Sequence, residues 1–242
     1  GFIRLSDFRG AANQAPKALE AIKNPDCGWY YRAKSNDFLK IPSASILYWI
    51  PQVVFNLFEK GLRLGDFLEA RTGLATGKND KYIRLHFEVS KNTIFFNSRN
   101  REESKYSKKK WFPYNKAGSF RKWFGNREFV LDWFEDGKEL QSTLHPSGER
   151  IWAHNFNLDH IFKSSISWTD ITTLGLSVRY FGTGFLFDSS AVSAFSINED
   201  YKFRILLLCN SKVGFYLSKI INPTMHFTPG NFESIPIPQS IF

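Results

Sequence analysis

Apolar positions along the chain change their period near residue 62. Before that point the spacing is helical. Residues 15–23 form one candidate helix, with Pro16 suited to an early helical position. A second takes Ile46, Leu47, Ile50, Val53, Val54, Leu57 and Phe58 as its apolar face, Ser43 or Ser45 as its cap and Gly61 as its stop. Pro51 falls inside this pattern, so the helix either kinks there or restarts with Pro51 in its first turn. From Leu64 onward the texture becomes one of short strands, at residues 82–89, 93–96, 128–133, 150–153, 177–181 and 185–188. Their alternation is partial. Asp136-Gly137, Pro146-Ser147-Gly148 and Gly182-Thr183-Gly184 punctuate them as turns, the last read as a glycine hairpin turn. A helical stretch at about 199–221 precedes a tail carrying Pro223, Pro229, Pro236 and Pro238. The pattern predicts an α+β chain: N-terminal helices over 1–62, then over 63–242 a twisted, mostly antiparallel β-rich domain ending in a helical stretch.

Composition supports a folded chain. Hydrophobic residues make up 43% and aromatic residues 17% of the 242, which excludes a disordered or fibrous protein. Cys27 and Cys209 form no CxxC pair, so a thiolate zinc site or disulfide framework is not expected, and a cytoplasmic location fits. No apolar run approaches the roughly 18–20 residues of a membrane span. The chain starts at Gly1-Phe2 without Met or a signal-peptide pattern, and is expected to be a piece of a longer protein.

Charge narrows the function. The net charge is +9, and residues 91–127 hold that whole excess, with 11 basic against 2 acidic side chains. Lys105, Lys108, Lys109, Lys110, Lys116, Arg121 and Lys122 alternate there with Tyr106, Trp111, Phe112, Tyr114, Phe120, Trp123 and Phe124. Cations among rigid aromatics suit a polyanion, because they neutralise phosphates while ring faces position loops or stack on bases. The alternative for any charge run is a solvated face. Trp111, Phe112, Trp123 and Phe124 read as packing beneath the basic loop.

Catalytic sets are missing. His154 and His160 with Asp159 lack the i, i+4 spacing of helical metal ligands. The Gly182–Gly184 turn is not followed by the helix of a nucleotide site, and no Gly-x-Ser-x-Gly elbow or Walker loop occurs. Neither Asn24-Pro25 nor Asn222-Pro223 continues into the second proline and aromatic of an amino-methylating enzyme. No catalytic or metal residue is assigned, and no cofactor is expected for these residues alone. A binding loop is more promising: residues 72–80 (Thr-Gly-Leu-Ala-Thr-Gly-Lys-Asn-Asp) offer free amides, a cation and two forked side chains. It reads equally as an ordinary glycine turn with Asn79 and Asp80 bonding locally.

Several strings in combination resemble the C-terminal region of the PglX-type adenine-specific DNA methyltransferases of BREX phage defence. They are 38–42 (Phe-Leu-Lys-Ile-Pro) with Tyr48-Trp49, the 72–80 loop, 110–116 (Lys-Trp-Phe-Pro-Tyr-Asn-Lys), 121–126, 165–169, and Arg179-Tyr180-Phe181 before 184–188. The same strings more distantly resemble fused type II restriction-methyltransferases, and the frame of 64–67 and 235–238 is similar to the borders of a target recognition domain in type I specificity subunits. The resemblance covers about residues 28–240. It implies a domain that reads a short duplex sequence, with 1–62 connecting it to an upstream methyltransferase domain of the same parent. S-adenosylmethionine is then expected for that parent, and other subunits of a defence system are implied partners.

Physical chemistry, and not the resemblance, selects the contacts. Phosphate contacts are expected from Lys78, Lys105, Lys108, Lys109, Lys110, Lys116 and Lys122. Base reading needs forks or amides, which nominates Arg99, Arg101, Arg121 and Arg179 for guanine and Asn79, Asn97 or Asn115 for adenine, with Asp80 beside Asn79. A rival from another class is a basic protein-interaction module that binds an acidic partner subunit or a DNA-mimicking phage inhibitor.

Overall fold

In the computed structural model, residues 1–39, 41, 46–196 and 198–238 are described. Residues 1–62 and Pro236–Pro238 group into one compact unit, and residues 63–235 into a second. Pro236–Pro238 thus fall with the first unit, whereas the sequence reading placed them in 63–242.

In the first unit, α1 (Ala11–Lys23) begins four residues earlier than the pattern suggested, with Gly10 at its N-cap and Pro16 inside. Pro51 restarts the second helix: it sits extended at φ −62°, ψ 149°, immediately before α2 (Gln52–Lys60), and Gly61 follows as C-cap. Ile46, Leu47 and Ile50 therefore precede the helix. The proposed caps Ser43 and Ser45, like Lys40 and Pro42, lie outside the described residues. Aromatic contacts consolidate this unit: Phe2 stacks on Tyr48 at 4.6 Å, and the Lys17 ammonium lies 4.5 Å from the Trp29 ring centre.

The second unit is built on two four-stranded sheets. Its strands are β1 (Glu69–Arg71), β2 (Ile83–Leu85), β3 (Trp111–Asn115), β4 (Phe129–Asp132), β5 (Ser165–Thr169), β6 (Val178–Phe181), β7 (Leu186–Phe187) and β8 (Ala191–Phe195). One sheet has the order β7-β3-β4-β2 and the other β1-β8-β5-β6. All pairings within them are antiparallel except β7 with β3, where Leu186 faces Tyr114. The chain is α+β. Strands β3, β5 and β8 escaped the sequence reading because nearly every residue in them is buried, so no alternation marks them. Two predicted strands are not strands: 93–96 contributes one bridge, Ile94 to Trp111, and 150–153 one bridge, Ile151 to Leu144. The Gly182–Gly184 turn is no hairpin either, since it passes the chain from β6 in one sheet to β7 in the other.

Burial of Phe112, Tyr114, Leu131, Trp133, Phe162 and Leu186 forms a hydrophobic core. Asn115 ties the sheets together there, its Nδ2 donating to Ser167 Oγ at 2.8 Å and Ser193 Oγ at 3.3 Å. Helices complete the unit: α3 (Arg101–Tyr106), α4 (Phe134–Ser142), α5 (Glu199–Asn210), α6 (Lys212–Ile221) and α7 (Pro229–Glu233). The single helix expected at 199–221 is two. Ser211 breaks it, accepting the Gly214 N–H at 3.1 Å as the cap of α6. Gly214 is required there, because a Cβ would lie 2.2 Å from the Leu208 carbonyl oxygen.

Candidate nucleic-acid interface

Strand β3 divides the basic segment into two clusters. Lys105, Lys108, Lys109 and Lys110 precede it and Lys116, Arg121, Lys122 and Arg127 follow it, separated by a strand of roughly 16 Å.

At the first end, α3 begins with Asn100 capping the Glu103 N–H at 2.9 Å. The sharp Trp133–Gly137 turn lies beside it, with Glu135, Asp136 and Gly137 all left-handed at φ 49°, 61° and 71°. Non-glycine residues hold such backbone only when neighbours over-determine it. Here the Arg101 fork grips Asp136 at 2.6 and 3.1 Å, and Gln141 donates to the Asp136 carbonyl at 2.5 Å. Arg101 is thereby committed to the fold, and its partner carboxylate raises its pKa. Lys105, Lys108 and Lys138 line a surface pocket with Tyr106, Phe134 and Glu135. Lys105 and Lys108 are exposed and have no hydrogen-bond partner among the described residues. Lys109 differs, donating to the Asn92 carbonyl at 2.6 Å. Lys110 sits 3.3 Å from Asp132 and over the Trp111 ring. Arg99 is exposed, with its guanidinium on Glu103 at 2.7 Å, and hydrogen bonds first from its backbone N–H and then from its side chain lower the Glu103 pKa.

The second end is organised differently. Lys116 lies 3.0 Å from Asp188, which also accepts from Tyr114 Oη at 2.6 Å, so it is a structural cation. Burial, followed by the Asp188 charge, raises the Tyr114 pKa well above its usual value. The loop between β3 and β4 then runs alongside β6 as a short extra strand. Trp123 N–H donates to the Val178 carbonyl at 2.9 Å, and Tyr180 N–H to the Trp123 carbonyl at 3.0 Å. Gly125, at φ 130°, lets the Arg121 side chain cross it; a Cβ would sit 2.4 Å from Arg121 Cδ. Arg121, Trp123 and Phe124 are exposed on this loop, while Lys122 donates to the Asn210 carbonyl at 2.8 Å. The four aromatics expected beneath the basic loop therefore part company: Trp111 and Phe112 are buried, but Trp123 and Phe124 are 46% and 65% exposed.

Two base-reading candidates face inward. Asn115 is 1% exposed and occupied in the core. Arg179 is fully buried, donating to the Arg121 carbonyl and Thr169 Oγ1 at 3.3 Å each, and burial pulls its guanidinium down to about 10. Neither is available to a base edge on the surface; Arg179 instead supports the loop that carries Arg121. Burial also lowers the Arg127 pKa, and its guanidinium lies 3.9 Å from the Phe124 ring centre.

The 72–80 loop stands on firm anchors. Leu74 bonds to Phe187 and Ala75 to His154 through their backbones. Thr76 Oγ1 donates to Asn79 Oδ1 at 2.6 Å, so local bonding uses the Asn79 oxygen, and Lys78, Asn79 and Asp80 are exposed. Phe120, named with the basic segment, is exposed, as are Phe87 and Phe96, which the charge pattern did not single out although Phe96 lies inside that segment.

The adenine-specific methyltransferase PglX of Lacticaseibacillus casei (strain Zhang) is 36% identical over 242 residues, covering 98% of this chain and 20% of that protein. BrxX of Escherichia coli O9:H4 (strain HS) is 35% identical over 239 residues, covering 98% of this chain and 18% of its own length. The chain thus spans about a fifth of the length of these relatives. No family model matches it. Among the described residues no helix is long and apolar enough to cross a membrane, and no group of three or more His, Cys, Asp or Glu could hold a metal ion.

Proposed function

We propose that this chain is the duplex-DNA reader of an adenine-specific methyltransferase in a BREX-type defence system, and that it is non-catalytic by itself. The observation that carries the reading is the loop of Arg121, Trp123 and Phe124, exposed in a chain that is 36% identical to a fifth of an adenine-specific methyltransferase. In this reading Lys78, Lys105, Lys108 and Lys110 contact phosphates and supply affinity without sequence information. Arg121, Arg99, Asn79 and Asp80 are the surface groups with the forked or amide geometry that base edges require. Lys109, Lys116 and Lys122 hold the backbone and core carboxylate that present them. Residues 1–62 join the reader to a methyltransferase domain in the parent.

S-adenosylmethionine would serve that parent as methyl donor. The Gly182–Gly184 turn leads into strand β7 and not into a helix whose amides could face a cofactor. We assign no methyl-transfer step to the described residues.

The test is selection from a random duplex library by the purified chain at physiological salt. Enrichment of a short motif containing adenine is expected. Retention without enrichment would reduce the chain to a generic DNA clamp, and no retention would favour an acidic protein partner.

A further inference from the structure

A surface cleft of about 510 Å³ opens between residues 86–97, strands β3 and β4, and the 182–185 turn, lined by His86, Phe96, Asn97, Arg127, Thr183 and Phe185. Its size falls within the roughly 300–1,000 Å³ of small-ligand sites. Three features define what it would accept. First, Arg127 lines it as a half-buried cation that makes no ion pair among the described residues. One N–H group donates to the Tyr180 carbonyl at 2.6 Å, and its buried Nε has no partner. A desolvated guanidinium without a carboxylate is complementary to an anion, and its planar fork matches a phosphate. Second, rings surround it: Phe124, Phe181 and Phe185 lie 3.9, 5.1 and 5.3 Å from the guanidinium, and Phe96 is 41% exposed at the cleft. Third, Asn97 adds an exposed amide beside those rings, the group that pairs with a base edge through two hydrogen bonds. The nearest carboxylate in sequence, Glu128, is exposed, and its carbonyl accepts the His86 N–H at 2.8 Å.

An anion joined to a planar, hydrogen-bonding ring is a nucleotide. We propose that this cleft takes one unstacked nucleotide of a DNA strand, with its phosphate on Arg127 and its base among Phe96, Phe185 and Asn97. The inference rests on the DNA-reading assignment and goes beyond it. A base inside a duplex cannot enter such a cleft, so the chain would favour DNA that already presents an unpaired nucleotide, where the cost of unstacking is smallest.

The experiment compares the full chain on a paired duplex and on the same duplex carrying a single-nucleotide bulge, by fluorescence anisotropy. Binding to the bulged duplex is expected to be about tenfold tighter, the effect of one base-aromatic stack. The ratio should fall to about one in Phe96→Ala and in Asn97→Ala, both surface changes whose folding is checked by thermal melting. Lys108→Ala should weaken both duplexes and keep the ratio. Equal binding of the two duplexes by the wild-type chain would overturn the cleft assignment and leave the DNA reader standing. A bulge preference that survives both cleft variants would also overturn it. Failure to bind either duplex would remove the DNA-reading assignment itself.

Discussion

The two ends of strand β3 hold similar numbers of cations in different company. At the end of Lys105 to Lys110, carboxylates are interleaved: Asp136 takes Arg101, Asp132 takes Lys110 and Glu135 takes Lys138. Lys105 and Lys108 then project as flexible point charges. At the end of Lys116 to Arg127, only Lys116 has a carboxylate among the described residues; Arg127 is held by a backbone carbonyl and rings, and Arg179 by a backbone carbonyl and Thr169. Balanced lysines supply a screened field that any polyanion feels. Rigid arginines packed on aromatics supply direction, because a planar fork on a fixed loop can discriminate what it meets. The charge excess of residues 91–127 is therefore two devices, and substitutions should separate them.

The largest effect is expected at Asp188, the buried carboxylate beneath the second end. Asp188→Ala leaves the Lys116 ammonium without its carboxylate and Tyr114 Oη with only the Leu74 carbonyl at 3.0 Å, and should cost about 3–5 kcal/mol in chemical denaturation. A loss under about 1 kcal/mol would mean Lys116 is available to a ligand after all. Next comes Asp136→Ala at the first end, which frees the Arg101 fork and unpins a left-handed turn, at about 1–3 kcal/mol. Because the pair is part-exposed, it should be the milder lesion, and a reversed order would break the contrast. The lysines should act on salt dependence more than on stability. Replacing Lys105 and Lys108 together with Ala should lower the salt slope of DNA binding by about two units, one per lost phosphate contact. Lys109→Ala and Lys122→Ala, whose ammonium groups are spent on carbonyls, should leave that slope nearly unchanged.

The smallest effect concerns neither end, and serves as a control. Burial, with Lys163 and Arg71 nearby, holds His160 below its ordinary 6.5, although Glu69 Oε2 lies 2.9 Å away. A histidine held below its unfolded value stabilises the fold above that value and loses the contribution as pH falls. Melting temperature should therefore decline modestly from pH 7 to pH 5, less so in His160→Gln. A rise on acidification would contradict this.

The architecture was legible where the pattern was local. The change of texture near residue 62, the stop at Gly61 and the strand at β4 all follow from short-range signals. Strands β3, β5 and β8 were not, because burial on both faces erases the alternation that marks a strand, and polar Ser167, Ser193 and Asn115 disguise them further. The interface followed the same rule. Exposed Arg121 and Lys108 could be nominated from charge alone, but charge cannot tell Arg121 from Arg179, which lies under the same loop with its guanidinium on the Arg121 carbonyl. Nor could periodicity separate Trp111 from Trp123. One enters a buried strand, and the other stands at φ 72° on a loop that β6 holds by two backbone bonds.

The central claim is that Arg121 on the loop end reads a base while Lys105 and Lys108 at the other end anchor the phosphate backbone. Its most direct measurement is duplex-library selection run in parallel on the wild-type chain, on the Lys105→Ala, Lys108→Ala double variant and on Arg121→Ala. The account predicts that the lysine variant recovers the wild-type motif at lower affinity, whereas Arg121→Ala relaxes one base position at about 1–3 kcal/mol. An altered motif in the lysine variant, or an unaltered one in Arg121→Ala, would contradict it.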